Sequence, residues 1–140
     1  MRYWLLKSEP STYAWQDLCQ LGCDHWDGVR NYQARNNLLA MRVGDKAFFY
    51  HSDKAPAIVG LVDVTKAAYP DHTEKGDHKW VMVDVVPLAY CDPSISLARL
   101  RQDSTLQHIA LVRHTRLSVQ PLDNKDFVYI KSLTQWHYIV

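Results

Sequence analysis

Three runs of residues typical of β-strands follow one another in the middle of this chain, and they constrain its fold more than any other feature. Residues 46–52 are a short apolar run, residues 56–69 are rich in β-branched side chains, and residues 79–88 place valines at alternate positions. No helical segment separates these runs, whereas parallel βαβ units need regular alternation of strands and helices. The pattern therefore predicts an α+β fold with a mixed or largely antiparallel, barrel-like sheet.

The N-terminal elements are predicted from caps and helix breakers. A strand at residues 2–8 stops before Pro10, because proline cannot donate to a strand ladder. A short helix is then expected to begin at Ser11 or Thr12, either of which can cap it, and to end at Gly22.

The next segment is predicted to start as a loop at the turn signal Asp27–Gly28 and to become a helix that Asn31 caps and Gly44 ends. Gly60 inside the second strand run predicts a bulge or bend. The C-terminal part is predicted to contain helices after Pro93 and around residues 105–115, a strand at 116–122 and a final helix that begins at Asp123.

The length of 140 residues fits one domain spanning residues 1–140. Three cysteines, an odd number, imply no disulfide framework and favour a reducing compartment. The N-terminus holds only a short apolar run, too short for a signal peptide core or a membrane span. We therefore expect an intracellular, soluble protein, cytoplasmic if the source is bacterial, with no membrane partner.

Charge distribution matters more here than total charge. The formal net charge of +1 excludes a strongly basic protein that binds nucleic acid through overall charge alone. Residues 28–44, however, contain three arginines and no acid, and residues 104–122 contain Arg113 and Arg116 and no acid. Two such segments can form a one-sided basic face if the fold brings them together.

Common catalytic and metal-binding motifs are missing from the sequence. Cys19, Cys23 and His25 lie close together, but no second ligand pair follows at zinc-finger spacing. No nucleophile elbow, phosphate-binding loop or dinucleotide-binding glycine pattern is present. The sequence therefore predicts no metal, no cofactor and no catalytic residue.

The stretch WDGVRNYQARNN, residues 26–37, concentrates planar hydrogen-bonding groups. Each residue alone is commonly structural: a core tryptophan, capping amides and arginines in ion pairs. Together, however, they supply what a flipped nucleobase needs, which is an aromatic wall, groups that read the base edge, and cations for phosphates. We assign the wall to Trp26, edge reading to Asn31 and Gln33, and phosphate contacts to Arg30 and Arg35.

The motifs YWLLKSEP, WDGVRNYQARNNL, VGDKAFFYHS, IVGLVDV, AYPD and KWVMVDV occur in order over nearly the whole chain, and in these the sequence resembles the EVE domain family. The resemblance implies a PUA-like fold, a twisted mixed β-barrel with surrounding helices, related to the YTH and ASCH domains. It also implies a non-catalytic nucleic-acid-binding module. The pocket would admit a modified cytosine of DNA or a modified base of RNA.

The resemblance also implies positions for the site residues. The base pocket would be formed by Trp26, Ser8, Lys7, Glu9, Asp27, Asn31, Tyr69 and Asp71. The phosphate and backbone contacts would come from Arg30, Arg35, Tyr32 and Gln33. The loop after Asp71 is expected near the ligand, and Trp80 is expected on a strand and in the core.

Two other functions stay open at this level. An enzyme acting on a modified base or nucleotide could use Glu9, Asp27 or Asp71 as acid or base, and such a carboxylate would have a perturbed pKa. An adaptor could use the aromatic pocket for a small molecule or a protein, and its affinity would depend little on salt.

Overall fold

The computed structural model describes residues 1–73, 79–113 and 116–139. The strands are β1 (Tyr3–Ser8), β2 (Asp24–Trp26), β3 (Lys46–His51), β4 (Ala57–Pro70), β5 (Val81–Ser96), β6 (Val119–Leu122) and β7 (Gln135–Tyr138). The α-helices are α1 (Trp15–Leu21), α2 (Tyr32–Ala40), α3 (Leu97–Gln102) and α4 (Asn124–Lys131), and a 3-10 turn covers Ser104–Leu106. None of the helices described is long and apolar enough to cross a membrane.

All strands belong to one seven-stranded sheet, in the order β2-β5-β4-β3-β1-β6, with β7 added beside the C-terminal half of β5. Strands β1 and β3 pair in parallel, and every other pair is antiparallel. Helix α2 contacts both β5 and β6, and so connects strands from opposite sides of the sheet order. The predicted mixed α+β fold is confirmed.

The sheet separates two hydrophobic clusters, because side chains alternate between its faces. On β1, Trp4 and Leu6 join one cluster and Leu5 joins the other; on β3, Phe49 and Phe48 divide in the same way. The first cluster includes residues of α1, α2 and β2, and the second includes residues of α3 and α4. The candidate site lies on the side of the first cluster.

Several local predictions are confirmed. The side chain of Asn31 accepts a hydrogen bond from the backbone N–H of Ala34 at 2.9 Å and caps α2. Gly22 follows α1 in the left-handed conformation, with φ of 78°. The register of β4 shifts between Ile58 and Gly60, as the glycine predicted.

Other boundaries were wrong near the N-terminus. Helix α1 begins at Trp15 instead of Ser11 or Thr12, because the N–H groups of Thr12 and Tyr13 first form a turn with the carbonyl of Glu9. Helix α2 ends at Ala40, four residues before Gly44. The three residues before Asp27 form strand β2, which was not predicted and is held in place by pairing with β5.

Predictions for the C-terminal part also needed correction. Strand β5 continues to Ser96, well past residue 88, because its second half pairs with both β4 and β7. The final helix ends at Lys131, and the chain returns as strand β7. The indole N–H of Trp136 donates to the carbonyl of Lys131 at 2.8 Å and fixes this reversal.

Candidate functional site

A cavity of about 530 Å³ opens where β1 ends, beside β2 and the loop that leads into α2. Its volume lies within the range of roughly 300–1,000 Å³ that is common for small-molecule sites. The lining residues come from these three segments, from the turn before α1, and from Ser118 just before β6. They are Lys7, Ser8, Glu9, Thr12, Tyr13, Asp24, His25, Trp26, Asp27, Gly28, Val29, Arg30, Asn31 and Ser118.

Trp26 forms the floor of this cavity. Its ring packs edge-on against Phe49, with centroids 5.4 Å apart, and against Tyr13, with centroids 6.2 Å apart. Only 8% of the residue is exposed, so a strip of the indole, not a whole face, is open to a ligand. The tryptophan predicted as a wall therefore also belongs to the hydrophobic core.

The end of β1 supplies the polar mouth of the cavity. Burial lowers the pKa of the half-buried Lys7, since desolvation disfavours its charged form. The hydroxyl of Ser8 donates to the carbonyl of Tyr13 at 2.5 Å, so this oxygen can act toward a ligand only as an acceptor. Glu9 is exposed beside them. All three residues line the cavity. Their role in a base pocket stays a prediction.

Tyr13 and Asp24 form a polar pair that was not predicted from the sequence. The Tyr13 hydroxyl donates to Asp24 Oδ2 at 2.7 Å. Burial, together with this hydrogen bond, raises the pKa of Tyr13, so the hydroxyl stays protonated. Asp24 precedes Trp26 by two residues on β2, and strand periodicity would have placed both on one face had that strand been recognised.

Asp71 lies outside the lining and acts as an anchor beneath it. Its side chain has no exposed area. It accepts hydrogen bonds from the N–H of Gly28 at 2.8 Å, from Arg30 at 3.1 Å, and from the N–H and hydroxyl of Thr73. Burial raises its pKa, but these hydrogen bonds outweigh burial and lower the pKa to about 2. Such a carboxylate fixes the loop Gly28–Arg30 and is poorly suited to act as an acid or base near neutral pH.

Tyr69 likewise does not line the cavity. Its hydroxyl donates to Asp84 and lies 2.8 Å from Nδ1 of His25. The hydrogen bond that the His25 ring donates to the Asp84 carboxylate raises the pKa of His25, against a smaller opposing effect of desolvation. Tyr69 therefore reaches the cavity through its contact with His25, a lining residue that was not predicted from the sequence.

Three residues predicted near the phosphates also lie beyond the lining. Tyr32, Gln33 and Arg35 all belong to the first turn of α2, with Tyr32 and Gln33 exposed. Arg30 and Asn31 immediately before them do line the cavity, as does Asp27. Since Asn31 Oδ1 already caps α2, only its amide nitrogen remains to donate to a ligand.

The prediction that Trp80 lies on a strand in the core was wrong. It precedes β5, is half-buried, and packs against the ring of Tyr32 with centroids 4.9 Å apart. Part of the loop expected near the ligand, residues 74–78, lies outside the described residues, as do residues 114–115 of the second acid-free segment. That segment nevertheless reaches the cavity through Ser118.

The described residues contain no group of three His, Cys, Asp or Glu side chains that could hold a metal ion. The lining instead combines an apolar floor with carboxylates, amides and cations at its mouth. Such a set can hold a planar ligand with both donor and acceptor groups on its edge.

Comparison with known proteins gives a consistent result. The EVE domain model matches residues 2–133. Thymocyte nuclear protein 1 of Mus musculus is 40% identical over 95% of this chain and 74% of its own length. The human THYN1 protein, crystallised in complex with 5-methylcytosine-containing DNA, matches with a TM-score of 0.88 and 38% identity, covering 95% of this chain and 97% of that chain.

The predicted relation to YTH domains is confirmed at the level of fold. The YTH domain of Zygosaccharomyces rouxii MRB1 matches with a TM-score of 0.61 at 13% identity, covering 94% of this chain and 85% of that chain.

Proposed function

The chain belongs to the EVE domain family, and from its cavity we propose that it is a nucleic-acid-binding module that reads a modified base, with 5-methylcytosine in DNA as the first candidate. The observation that carries the proposal is the chemistry of the lining. The cavity of this chain is large enough for a base and has a tryptophan floor and polar groups at its mouth. The similar human THYN1 protein was crystallised with 5-methylcytosine-containing DNA.

The apolar floor suits the methyl group. Trp26 and Val29 both line the cavity while belonging to the hydrophobic core, so a methyl group packed against them would lose contact with water. Proteins usually recognise the methyl group of thymine by apolar contact. That methyl group is on C5 of the ring, as it is in 5-methylcytosine.

The mouth suits the polar edge of the base. Asp24 and Asp27 can accept hydrogen bonds from an exocyclic amino group, as acidic side chains do with cytosine. Lys7 can donate to a carbonyl oxygen, and a bound acceptor would offset the burial that disfavours its charge. The amide nitrogen of Asn31 provides a second donor.

Binding measurements on matched DNA duplexes test the proposal. Duplexes that differ only in the central base pair, carrying cytosine, 5-methylcytosine or adenine methylated at N6 on one strand, are titrated by fluorescence anisotropy at several salt concentrations. We expect tighter binding of 5-methylcytosine, and a Kd that rises steeply with salt, since phosphate contacts release counterions. A Kd that changes little with salt would instead indicate the adaptor function.

Two variants locate the preference in the cavity. Trp26→Phe keeps an aromatic floor of smaller area and should reduce the preference for 5-methylcytosine over cytosine. Asp24→Asn removes one acceptor for the amino group that both bases carry, so it should weaken the binding of both by up to about 1–3 kcal/mol. Asp92→Asn, an exposed carboxylate on the far half of β5, is the control and should leave the preference unchanged. Equal Kd values for all three duplexes would refute the proposal, as would an unchanged preference in Trp26→Phe together with unchanged binding in Asp24→Asn.

A further inference from the structure

Four planar side chains, Tyr32, Trp80, Arg35 and Arg30, make pairwise contacts beside the mouth of the cavity, and Arg30 also lines it. The rings of Tyr32 and Trp80 have centroids 4.9 Å apart and an interplanar angle of 31°. The guanidinium of Arg35 lies 5.1 Å from the Tyr32 ring, and that of Arg30 lies 5.6 Å from the Trp80 ring. We call the Tyr32 and Trp80 rings, with Arg35, the outer platform.

The outer platform is open to solvent in a way that core aromatics are not. Tyr32 is 54% exposed, although it packs against a second aromatic ring that is itself half-buried. These two residues are 48 positions apart in the sequence, so only the tertiary fold brings them together. Exposed aromatic rings held in place by packing are the usual platforms for unpaired nucleobases, because every base has a π-face.

The charge beside Tyr32 favours a phosphate. The guanidinium of Arg35 donates to the carbonyl of Lys79 at 3.2 Å and to Asn36 Oδ1 at 2.9 Å, both neutral acceptors. No carboxylate within residues 1–73, 79–113 and 116–139 forms an ion pair with it, whereas Arg30 is paired with Asp71. Arg35 is thus fixed in position while no carboxylate of the described residues neutralises its charge, as suits a phosphate contact.

The outer platform is continuous with the cavity. Arg30 lines the cavity on one side and contacts Trp80 on the other. Asn31, also in the lining, is directly followed by Tyr32 in the chain. A strand whose modified base enters the cavity would therefore place a neighbouring nucleotide beside the platform.

We propose that the outer platform is a second base-stacking site, which takes an unpaired nucleotide adjacent to the modified one, stacked on Tyr32 with its phosphate at Arg35. The identity of the nucleotide in the cavity rests on the function proposed above. Stacking itself is independent of base identity and should hold for any sequence at this position.

Single-stranded oligonucleotides lacking selected bases test the inference. One probe carries 5-methylcytosine between normal neighbours, and the other has abasic nucleotides on both sides; the same pair is made with unmodified cytosine. Removing the neighbouring bases should raise the Kd of the unaltered protein roughly 5- to 150-fold, the effect of losing one stacked base.

Variants of Tyr32 test whether the weaker binding of the abasic probe arises at the outer platform. Tyr32→Leu should bind the intact probe more weakly by a similar factor and should no longer distinguish it from the abasic probe. Tyr32→Phe keeps the ring, so its Kd should still rise when the neighbouring bases are removed. The matched control is Tyr138→Leu, since Tyr138 is 53% exposed on β7, away from the cavity, and this variant should behave like the unaltered protein.

The outcomes separate this inference from the proposed function. The proposed stacking at the outer platform is overturned if the unaltered protein binds the intact and abasic probes equally well. It is also overturned if the Kd of Tyr32→Leu rises as much on removal of the neighbouring bases as the Kd of the unaltered protein. If the protein ignores the methyl group but loses its neighbour dependence in Tyr32→Leu, the platform stands and the modified-base function falls. If no single-stranded probe binds while the 5-methylcytosine duplex does, the second stacking site is overturned and the modified-base function stands.

Discussion

Asp71 is expected to be the carboxylate on which the shape of the cavity mouth most depends. Its two oxygens accept hydrogen bonds from the N–H of Gly28, from Arg30, and from both the N–H and the hydroxyl of Thr73. Asp71→Asn keeps one acceptor oxygen but replaces the other with an amide that can only donate. In whichever orientation it adopts, that amide faces N–H or O–H groups that it cannot satisfy.

The expected cost can be worked from the pKa. Hydrogen bonding lowers the pKa of Asp71 from 3.8 to about 2, despite burial. At 1.36 kcal/mol per pKa unit, the folded state prefers the charged carboxylate by roughly 2 kcal/mol. Arg30 is 39% exposed and keeps part of its hydration when its partner is neutral, so the cost should be smaller than for a fully buried ion pair. We therefore expect Asp71→Asn to lower the free energy of unfolding by about 2 kcal/mol at pH 7.

The pH dependence gives a sharper test. The folded pKa is lower than the unfolded one, so the stabilisation is complete above about pH 4 and is lost as the pH falls toward 2. Urea unfolding followed by tryptophan fluorescence, repeated from pH 7 down to the lowest pH at which both proteins fold, should show the gap between them closing only below pH 4.

The control is Asp123→Asn, an exposed carboxylate whose side chain makes no capping bond, and its stability should match the unaltered protein at pH 7. The predicted role of Asp71 would be refuted if the two free energies of unfolding differ by less than about 0.5 kcal/mol at pH 7. It would also be refuted if their difference stays the same well below pH 4.

Two further predictions concern packing and capping. A Cβ on Gly60 would lie 2.5 Å from the ring of Trp15. Gly60→Ala should therefore lower the stability measured by thermal unfolding by about 1–3 kcal/mol. If the same substitution costs as much stability in the Trp15→Phe background, the clash with Trp15 is not the cause. Asn31→Ala should lose about 1 kcal/mol with the cap of α2, and Asn31→Ser should restore it, because serine caps as well as asparagine. If the amide of Asn31 also reads the base, Asn31→Ser should still bind 5-methylcytosine DNA more weakly; full recovery of the Kd would assign Asn31 to capping alone.

Much of the fold follows from local patterns in the sequence. The valines at alternate positions of residues 79–88 predict a strand with one buried face, and the structure places Val81, Val83 and Val85 in one cluster. The asparagine cap of α2 and the glycine end of α1 depend on side chains and backbone within a few residues, so they can be read without knowing the fold. Among the residues that line the cavity, Trp26 and Asn31 were proposed from their chemistry, and Lys7, Ser8 and Glu9 from motifs that resemble a family.

The two short strands β2 and β7 could not be predicted from local sequence patterns. Strand β2 has three residues and β7 has four, and each exists because it pairs with a different half of β5. Neither contains enough periodicity to distinguish it from a loop or from the end of a helix. Recognition of β2 would have added Asp24 to the predicted site.

The roles of the polar and aromatic residues were decided by tertiary structure alone. Asp71 and Tyr69 were expected to line the pocket, yet Asp71 anchors a loop 43 residues earlier and Tyr69 hydrogen bonds to Asp84. Trp80 contacts Tyr32 instead of the core. The sequence by itself determined which chemical groups this protein has and the family to which its fold belongs. Which groups meet was decided only by folding, because hydrogen bonds and ring contacts form between residues far apart in the chain, and local patterns carry no record of these partners.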